Sequence, residues 1–202
     1  MRRIGDHVVV LGASLAGLLA ARVLADAYGR VTVVERDPVP DTAENRKGVP
    51  QGRHAHLLLP RGAQILDGLF PGLLDDLVAG GAPVIRDLGE LRFSPGGHRL
   101  RLEGHPPEAI TYQASRPYLE GQVRARVRAL PTVEVVDRCE VVGLVTTAAR
   151  DRVTGVRIMH GTVGAVEPLD ADLVLDATGR SGRATAPASS CAAGAISGAR
   201  CT

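Results

Sequence analysis

The segment HVVVL, His7 to Leu11, is an apolar run with consecutive valines, the pattern of a strand buried on both faces. Helical spacing follows, with Leu15, Leu18, Leu19, Val23 and Leu24 on one face. The pattern predicts a helix over Leu15–Tyr28, with Gly29 just past its end. RVTVVER from Arg30 predicts a second strand. Strand, tight turn, helix and strand together make the first unit of a parallel sheet. The texture then changes. Asp37 to about Gly52 is rich in Pro, Gly and charge and predicts a loop long enough to carry function. Leu57 to about Val78 has helical spacing divided by Pro71. From Pro83, VIRDLGELRFSPGGHRLRLEG predicts short strands with a hairpin turn at Gly96-Gly97, and EAITYQ a further strand. Pro117 to Leu130 returns to helical spacing, with Leu119, Val123, Val127 and Leu130 on one side. TVEVVD, CEVVGLVTT and RVTGVRIM are Val-rich strands, the last two suited to an antiparallel ribbon. ADLVLDATG predicts one more buried strand ending in a glycine turn. After Arg183 the run ATAPASSCAAGAISGARCT holds one large apolar residue, Ile196, and is expected to be disordered.

Composition narrows the class. A chain of 202 residues is enough for one domain with a real core. The net charge of +2, from 24 basic and 22 acidic residues that are interspersed, argues against nucleic acid. With no Trp and two Phe, a base-stacking platform is not expected either. The opening MRRIGDHVVVLGAS lacks the layout of a signal peptide. Arg22 and Asp26 interrupt the apolar stretch after Leu15, so no membrane span is expected there. Cys139, Cys191 and Cys201 are an odd, scattered set, neither a disulfide framework nor a zinc signature. These features predict a soluble cytoplasmic protein.

The chemistry concentrates at the first turn, LGASLAGLL. Gly12 permits a tight reversal and Gly17 close packing of helix on strand. Ser14 stands where the middle glycine of G-x-G-x-x-G belongs. It is small enough to let the backbone approach a pyrophosphate, and its hydroxyl is itself a donor. Leu15 and Ala16 open the helix, whose first N–H groups are unpaired and carry partial positive charge. Many strand-to-helix turns carry glycines without binding anything. Glu35 changes the balance, since it ends the second strand where an acid accepts hydrogen bonds from adenosine ribose hydroxyls. Its charge also disfavours a 2′-phosphate. Dinucleotide binding is the resulting expectation, and alternating strands and helices, the nicotinamide dehydrogenase pattern, do not follow it.

The set GASLAGLLAARVL, VTVVERD, GVPQGRHAH and DATGR, over about Asp6 to Arg183, resembles FAD-dependent oxidoreductases related to para-hydroxybenzoate hydroxylase and geranylgeranyl reductase. The resemblance implies an α/β fold: a Rossmann-like FAD-binding domain of the glutathione-reductase type. It has a parallel sheet, an antiparallel β ribbon and part of an inserted β-rich substrate region. The implied domain spans residues 1–183, with the insert at about 83–115 and residues 184–202 as a small-residue tail. The resemblance implies FAD as cofactor, bound by Gly12, Ser14, Leu15, Ala16, Gly17, Glu35, Arg36, Arg53, Arg116 and Gly179. Gly12, Ser14 and Gly17 fall on the pyrophosphate turn and Glu35 on the ribose acid. Arg36 falls along the adenine, Arg53 near the phosphates, Arg116 at a helix start beside the cofactor, and Gly179 on a late turn facing it. Bland alternatives stand beside these roles: Arg53 and Arg116 as surface arginines, His54 and His56 as a loop pair, Asp172 and Asp176 as strand-end acids. In complete relatives a small-molecule substrate and an NAD(P)H donor are implied. Thr178 stands where related hydroxylases carry the Asp of an Asp-Gly turn, which leaves NADPH use open. No Gly-Asp motif follows Arg183, so the chain reads as the FAD-binding portion of a monooxygenase-like enzyme, C-terminally truncated. The competing readings are an NAD-binding dehydrogenase fragment and a catalytically silent nucleotide-binding remnant.

Overall fold

Val8 and Val10 face one way and Val9 and Leu11 the other, and all four are fully buried. That double burial follows from their position in β1 (Gly5–Leu11), an inner strand of a four-stranded parallel sheet. The sheet order is β10 (Leu173–Asp176), β1, β2 (Tyr28–Val34) and β6 (Val133–Val136). The computed structural model describes residues 3–54, 56–87, 92, 94–99, 110–161 and 164–179.

Helices cover one face of this sheet. Val8, Val10, Val31 and Val33 pack against Leu18 of α1 (Leu15–Leu24), and against Leu119, Val123 and Val127 of α4 (Arg116–Arg128). The same core takes in Leu66 of α2 (Pro60–Leu69) and Leu73 and Leu77 of α3 (Leu73–Ala79). An antiparallel meander covers the other face, built from β7 (Cys139–Thr146), β8 (Val153–His160) and β9 (Val166–Asp170). Its Cys139, Val156 and Ile158 pack on Val9, Leu11 and Val34. Each fully buried aliphatic side chain contributes about 1.5–3 kcal/mol relative to exposure, so the two-faced burial of β1 and β2 anchors the fold. A small antiparallel sheet completes it, with β5 (Thr111–Gln113) between β3 (Leu57–Leu58) and β4 (Val84–Ile85). The layers are thus helices, parallel sheet and β meander, a mixed α/β fold.

Several elements differ from the sequence expectation. The first helix stops at Leu24, and Tyr28 and Gly29 belong to β2, where Tyr28 pairs with Gly5. The four-residue spacing of Leu24 and Tyr28 imitates a helix, but sheet pairing overrides it. Leu57 and Leu58 are strand, and the helix starts at Pro60, where a missing N–H costs nothing. Pro71 divides the helical stretch as expected, with Gly72 at φ 83° between α2 and α3. β10 is a sheet edge rather than a fully buried strand, and Leu173 remains 38% exposed. The ribbon has a third strand, β9, which its Pro168 and charges hid; Pro is tolerated on such an exposed edge strand. Gly96 and Gly97 take positive φ of 60° and 85° in a 3-10 turn. Most of the hairpin expected around them lies outside the described residues, as does the segment after Arg183 that is expected to be disordered.

Candidate functional site: the crevice at the first turn

The carboxyl ends of β1, β2 and β10 converge on one crevice. The Gly12 N–H donates to the Val34 carbonyl at 2.8 Å, and the Ala177 N–H to the Leu11 carbonyl at 2.8 Å. Ligands of open α/β sheets bind in such a crevice, outside the carboxyl ends of the strands. Its walls include Gly12, Ser14, Glu35, Arg46, Cys139 and Thr178.

Both outer glycines of the turn are required by the geometry. Gly12 has φ 96°, and a Cβ there would come within 2.9 Å of the Ala177 carbonyl oxygen. A Cβ on Gly17 would sit 1.8 Å from the Gly12 carbonyl oxygen. Ser14 is the N-cap of α1, yet its side chain makes no capping bond. Its hydroxyl instead accepts from Arg116 Nη2 at 3.3 Å, which leaves the hydroxyl proton free to donate. Leu15, Ala16 and Gly17 precede the first intrahelical bond, from the Leu18 N–H to the Ser14 carbonyl at 2.9 Å. This end of the helix therefore offers backbone donors to an anion.

Glu35 follows β2 directly. Its backbone is fixed between β6 and β7, donating to the Val136 carbonyl and accepting from the Cys139 N–H, each at 2.9 Å. Its carboxylate turns back to the glycine turn. Oε2 accepts from the Ala13 N–H at 2.9 Å, and Oε1 from the Asp37 N–H at 3.1 Å. Arg46 Nη2 lies 2.7 Å from Oε2. Arg46 also donates through Nη1 to the Ala13 carbonyl at 2.7 Å and to Glu120 Oε1 at 2.9 Å. Burial opposes the Arg46 charge, but Glu35 and Glu120 outweigh it and hold its pKa above the usual arginine value. Glu120 is buried on α4, with Arg116 3.3 Å and Arg124 3.8 Å away. Burial pushes Arg124 below the usual arginine value, against the pull of Glu120.

The remaining expected residues scatter. Arg36 lines the crevice, half exposed, with Nε 3.6 Å from Asp37 Oδ1. Gly179 takes φ 71° in the exposed turn after β10, next to Ala177 and Thr178 of the crevice wall. Arg53 is exposed at the end of a 3-10 turn, Pro50–Arg53, and is not part of the wall. The turn does pack near the start of α4, with a Gly52 Cβ position 3.8 Å from Pro117 Cγ. His54 and His56 line a separate cleft with Gln113 and Ser115. Among the described residues no group of His, Cys, Asp and Glu is arranged to hold a metal ion. Asp176 accepts from the Thr178 N–H at 2.9 Å, and Asp172 from the Asp6 and His7 N–H groups at 2.7 and 3.0 Å. Both are strand-end acids that shape turns. Arg46, Glu120 and Arg124 were missed. For Glu120 and Arg124 the one sequence signal is the four-residue spacing of Arg116, Glu120, Arg124 and Arg128, which places a charged stripe beside the apolar face of α4; Arg46 has none.

A crevice of this kind on a parallel sheet backed by a β meander belongs to the fold of FAD-dependent monooxygenases and halogenases. The chain superposes on a myxobacterial chondrochloren halogenase, a variant of the FAD-dependent halogenases, with a TM-score of 0.66 and 23% identity, over 89% of this chain and 38% of that one. It is 46% identical to protein Rv3254 of Mycobacterium tuberculosis, over 88% of this chain and 39% of the relative. It is 37% identical to kynurenine 3-monooxygenase of Salinispora arenicola, over 89% of this chain and 37% of the relative. No protein-family model matches it. The chain thus spans under half the length of the curated relatives it matches. No helix among the described residues is long and apolar enough to cross a membrane.

Proposed function

We propose that this chain is the FAD-binding portion of a flavin-dependent, monooxygenase-like oxidoreductase, and that its crevice takes the ADP half of the cofactor. The observation that carries the reading is the closure of the Gly12–Gly17 turn onto the Glu35 carboxylate. That arrangement brings backbone donors, a helix N-terminus and a ribose acceptor together. The donor set fits the group: the N–H groups of Leu15, Ala16 and Gly17 lie ahead of the first intrahelical bond, and the Ser14 hydroxyl proton is free to donate beside the Arg116 guanidinium.

In this reading Gly12, Ser14, Leu15, Ala16 and Gly17 hold the pyrophosphate, with Arg116 adding positive charge through its contact with Ser14. Glu35 accepts from the ribose. Arg36, half exposed on the same wall, lies along the adenine. Gly179 gives the late turn the backbone shape to face the cofactor. Arg53 is assigned to the phosphates by resemblance alone. When bound, FAD supplies the redox chemistry, and the protein supplies binding, orientation and electrostatics. In this reading the whole enzyme acts on a small molecule, and Thr178, standing where an Asp-Gly turn would meet NAD(P)H, leaves the electron donor open.

The test is a titration of the purified chain with FAD and ADP, read by flavin fluorescence and calorimetry. FAD and ADP are expected to compete for one site, and Ser14→Gly to keep that binding. Ser14→Val places a branched side chain against the pyrophosphate and is expected to abolish it. Binding by Ser14→Val equal to the parent would refute the assignment.

A further inference from the structure

We propose that Arg46 is the positioning residue that sets the Glu35 carboxylate for a ribose hydroxyl, and that Glu120 on α4 in turn sets Arg46. The inference rests on the adenosine-site reading above. Arg46 comes from the long loop after β2, Glu35 from the strand end and Glu120 from α4, so three distant segments meet here. Their side chains are 5%, 13% and 4% exposed, so the cluster is largely shielded from solvent.

A guanidinium is a rigid planar fork that presents its N–H groups in fixed directions. Nη1 is fixed twice, by Glu120 Oε1 at 2.9 Å and by the Ala13 carbonyl at 2.7 Å. With that arm anchored, Nη2 has one place to point, and Glu35 Oε2 lies there at 2.7 Å. The same oxygen takes the Ala13 N–H, and Oε1 takes the Asp37 N–H. A carboxylate has about four acceptor sites. Three are taken by groups of the turn and loop, which leaves one for a hydroxyl entering from the crevice. Without Arg46, Glu35 is a buried acid held only by two backbone N–H groups. Water then becomes a better partner than the turn.

The loop is held where this requires. Arg124 Nη2 donates to the Thr42 carbonyl at 2.8 Å and Arg128 Nη2 to the Val39 carbonyl at 3.1 Å. Arg128 also pairs with Asp41. The stripe on α4 therefore fastens the loop along its length, and Arg46 is its inward-reaching member.

The experiment compares ADP with 2′-deoxy-ADP, which lacks the hydroxyl that Glu35 would accept from, on the full chain and on Arg46→Met, Arg46→Lys and Glu120→Gln. The parent is expected to prefer ADP by about tenfold, one charge-assisted hydrogen bond. In Arg46→Met the preference falls to near one, while affinity for 2′-deoxy-ADP stays close to the parent's. Arg46→Lys lowers it too, because an ammonium cannot bridge both acids. Glu120→Gln lowers it with Arg46 still present. That variant decides the question if circular dichroism shows that Arg46→Met does not fold. Variants that keep the parent's preference, or that weaken both nucleotides equally, overturn the positioning role while the adenosine site stands. A parent that binds neither nucleotide, or binds both alike, overturns the adenosine reading and this inference with it.

Discussion

A single methyl group at Gly17 would sit 1.8 Å from the Gly12 carbonyl oxygen, so the turn cannot form around it. Gly17→Ala is expected to destabilise the chain by about 3 kcal/mol, the upper end of overpacking costs, and to abolish ADP binding; urea denaturation and the nucleotide titration check both. Glu35→Ala tests the other pole of the crevice. Loss of one hydrogen-bond partner is expected to weaken ADP binding by about 1–3 kcal/mol, and unchanged affinity would contradict the ribose role. These residues were legible because their chemistry is local. Gly12, Ser14 and Gly17 lie within one turn, and Glu35 follows at the spacing that a strand-turn-helix-strand unit imposes. Arg46 was not legible. Its partners, Glu35, Ala13 and Glu120, are brought to it by three different elements, and nothing in ENRKG marks it as a buried ion. Arg53 shows the converse, since it carries the motif resemblance and yet is exposed outside the crevice wall.

At the level of elements, α4 works in two ways at once. Leu119, Val123 and Val127 pack it on the sheet, while Glu120, Arg124 and Arg128 fasten the loop after β2. Glu120 is the point where these tasks join, being buried and flanked by Arg46, Arg116 and Arg124. Removing one partner of a buried ion pair leaves an uncompensated charge and costs about 3–5 kcal/mol. Glu120→Ala is expected to lose that much in urea denaturation. Combining it with Arg46→Met is expected to cost less than the two changes summed, since the second removes a charge that the first left unpaired. Additive losses would show that the two side chains do not act on each other. The helices and central strands were legible from periodicity, and the errors lie where pairing decides. Tyr28 keeps helical spacing yet pairs with Gly5, and Leu57 keeps it yet pairs with Gln113. β9 was invisible because an exposed edge strand needs no apolar face.

The whole molecule is a parallel sheet clamped between helices and a meander, and its two ends do different work. At the end away from the crevice, His7 ties β1 to β2 beside it and to β9 of the meander. Its Nδ1 lies 2.6 Å from the Asp170 carbonyl and its Nε2 2.9 Å from Thr32 Oγ1, with Arg30 Nη2 3.0 Å from Nδ1. Burial holds its pKa below the ordinary 6.5, reinforced by Arg30 and opposed by the Asp170 carbonyl, Asp172 and Glu134. The unfolded chain therefore takes up this proton first. The contribution of neutral His7 is present above pH 6.5 and is lost as pH falls from there towards the lowered folded value. Urea midpoints followed downward from pH 6.5 are expected to fall less steeply in His7→Gln than in the parent. At the crevice end, the reading proposed above gives the backbone donors, Ser14 and Arg116 to a pyrophosphate and Glu35 to a ribose, one half of a dinucleotide. Affinity follows from what is held, so ADP should capture most of the binding free energy of FAD. The expected outcome of parallel titrations is FAD and ADP dissociation constants within about tenfold, or ~1.4 kcal/mol. FAD bound a hundredfold or more tightly than ADP would mean that the chain also holds the flavin end, and would move the main binding contacts away from the Gly12–Gly17 turn.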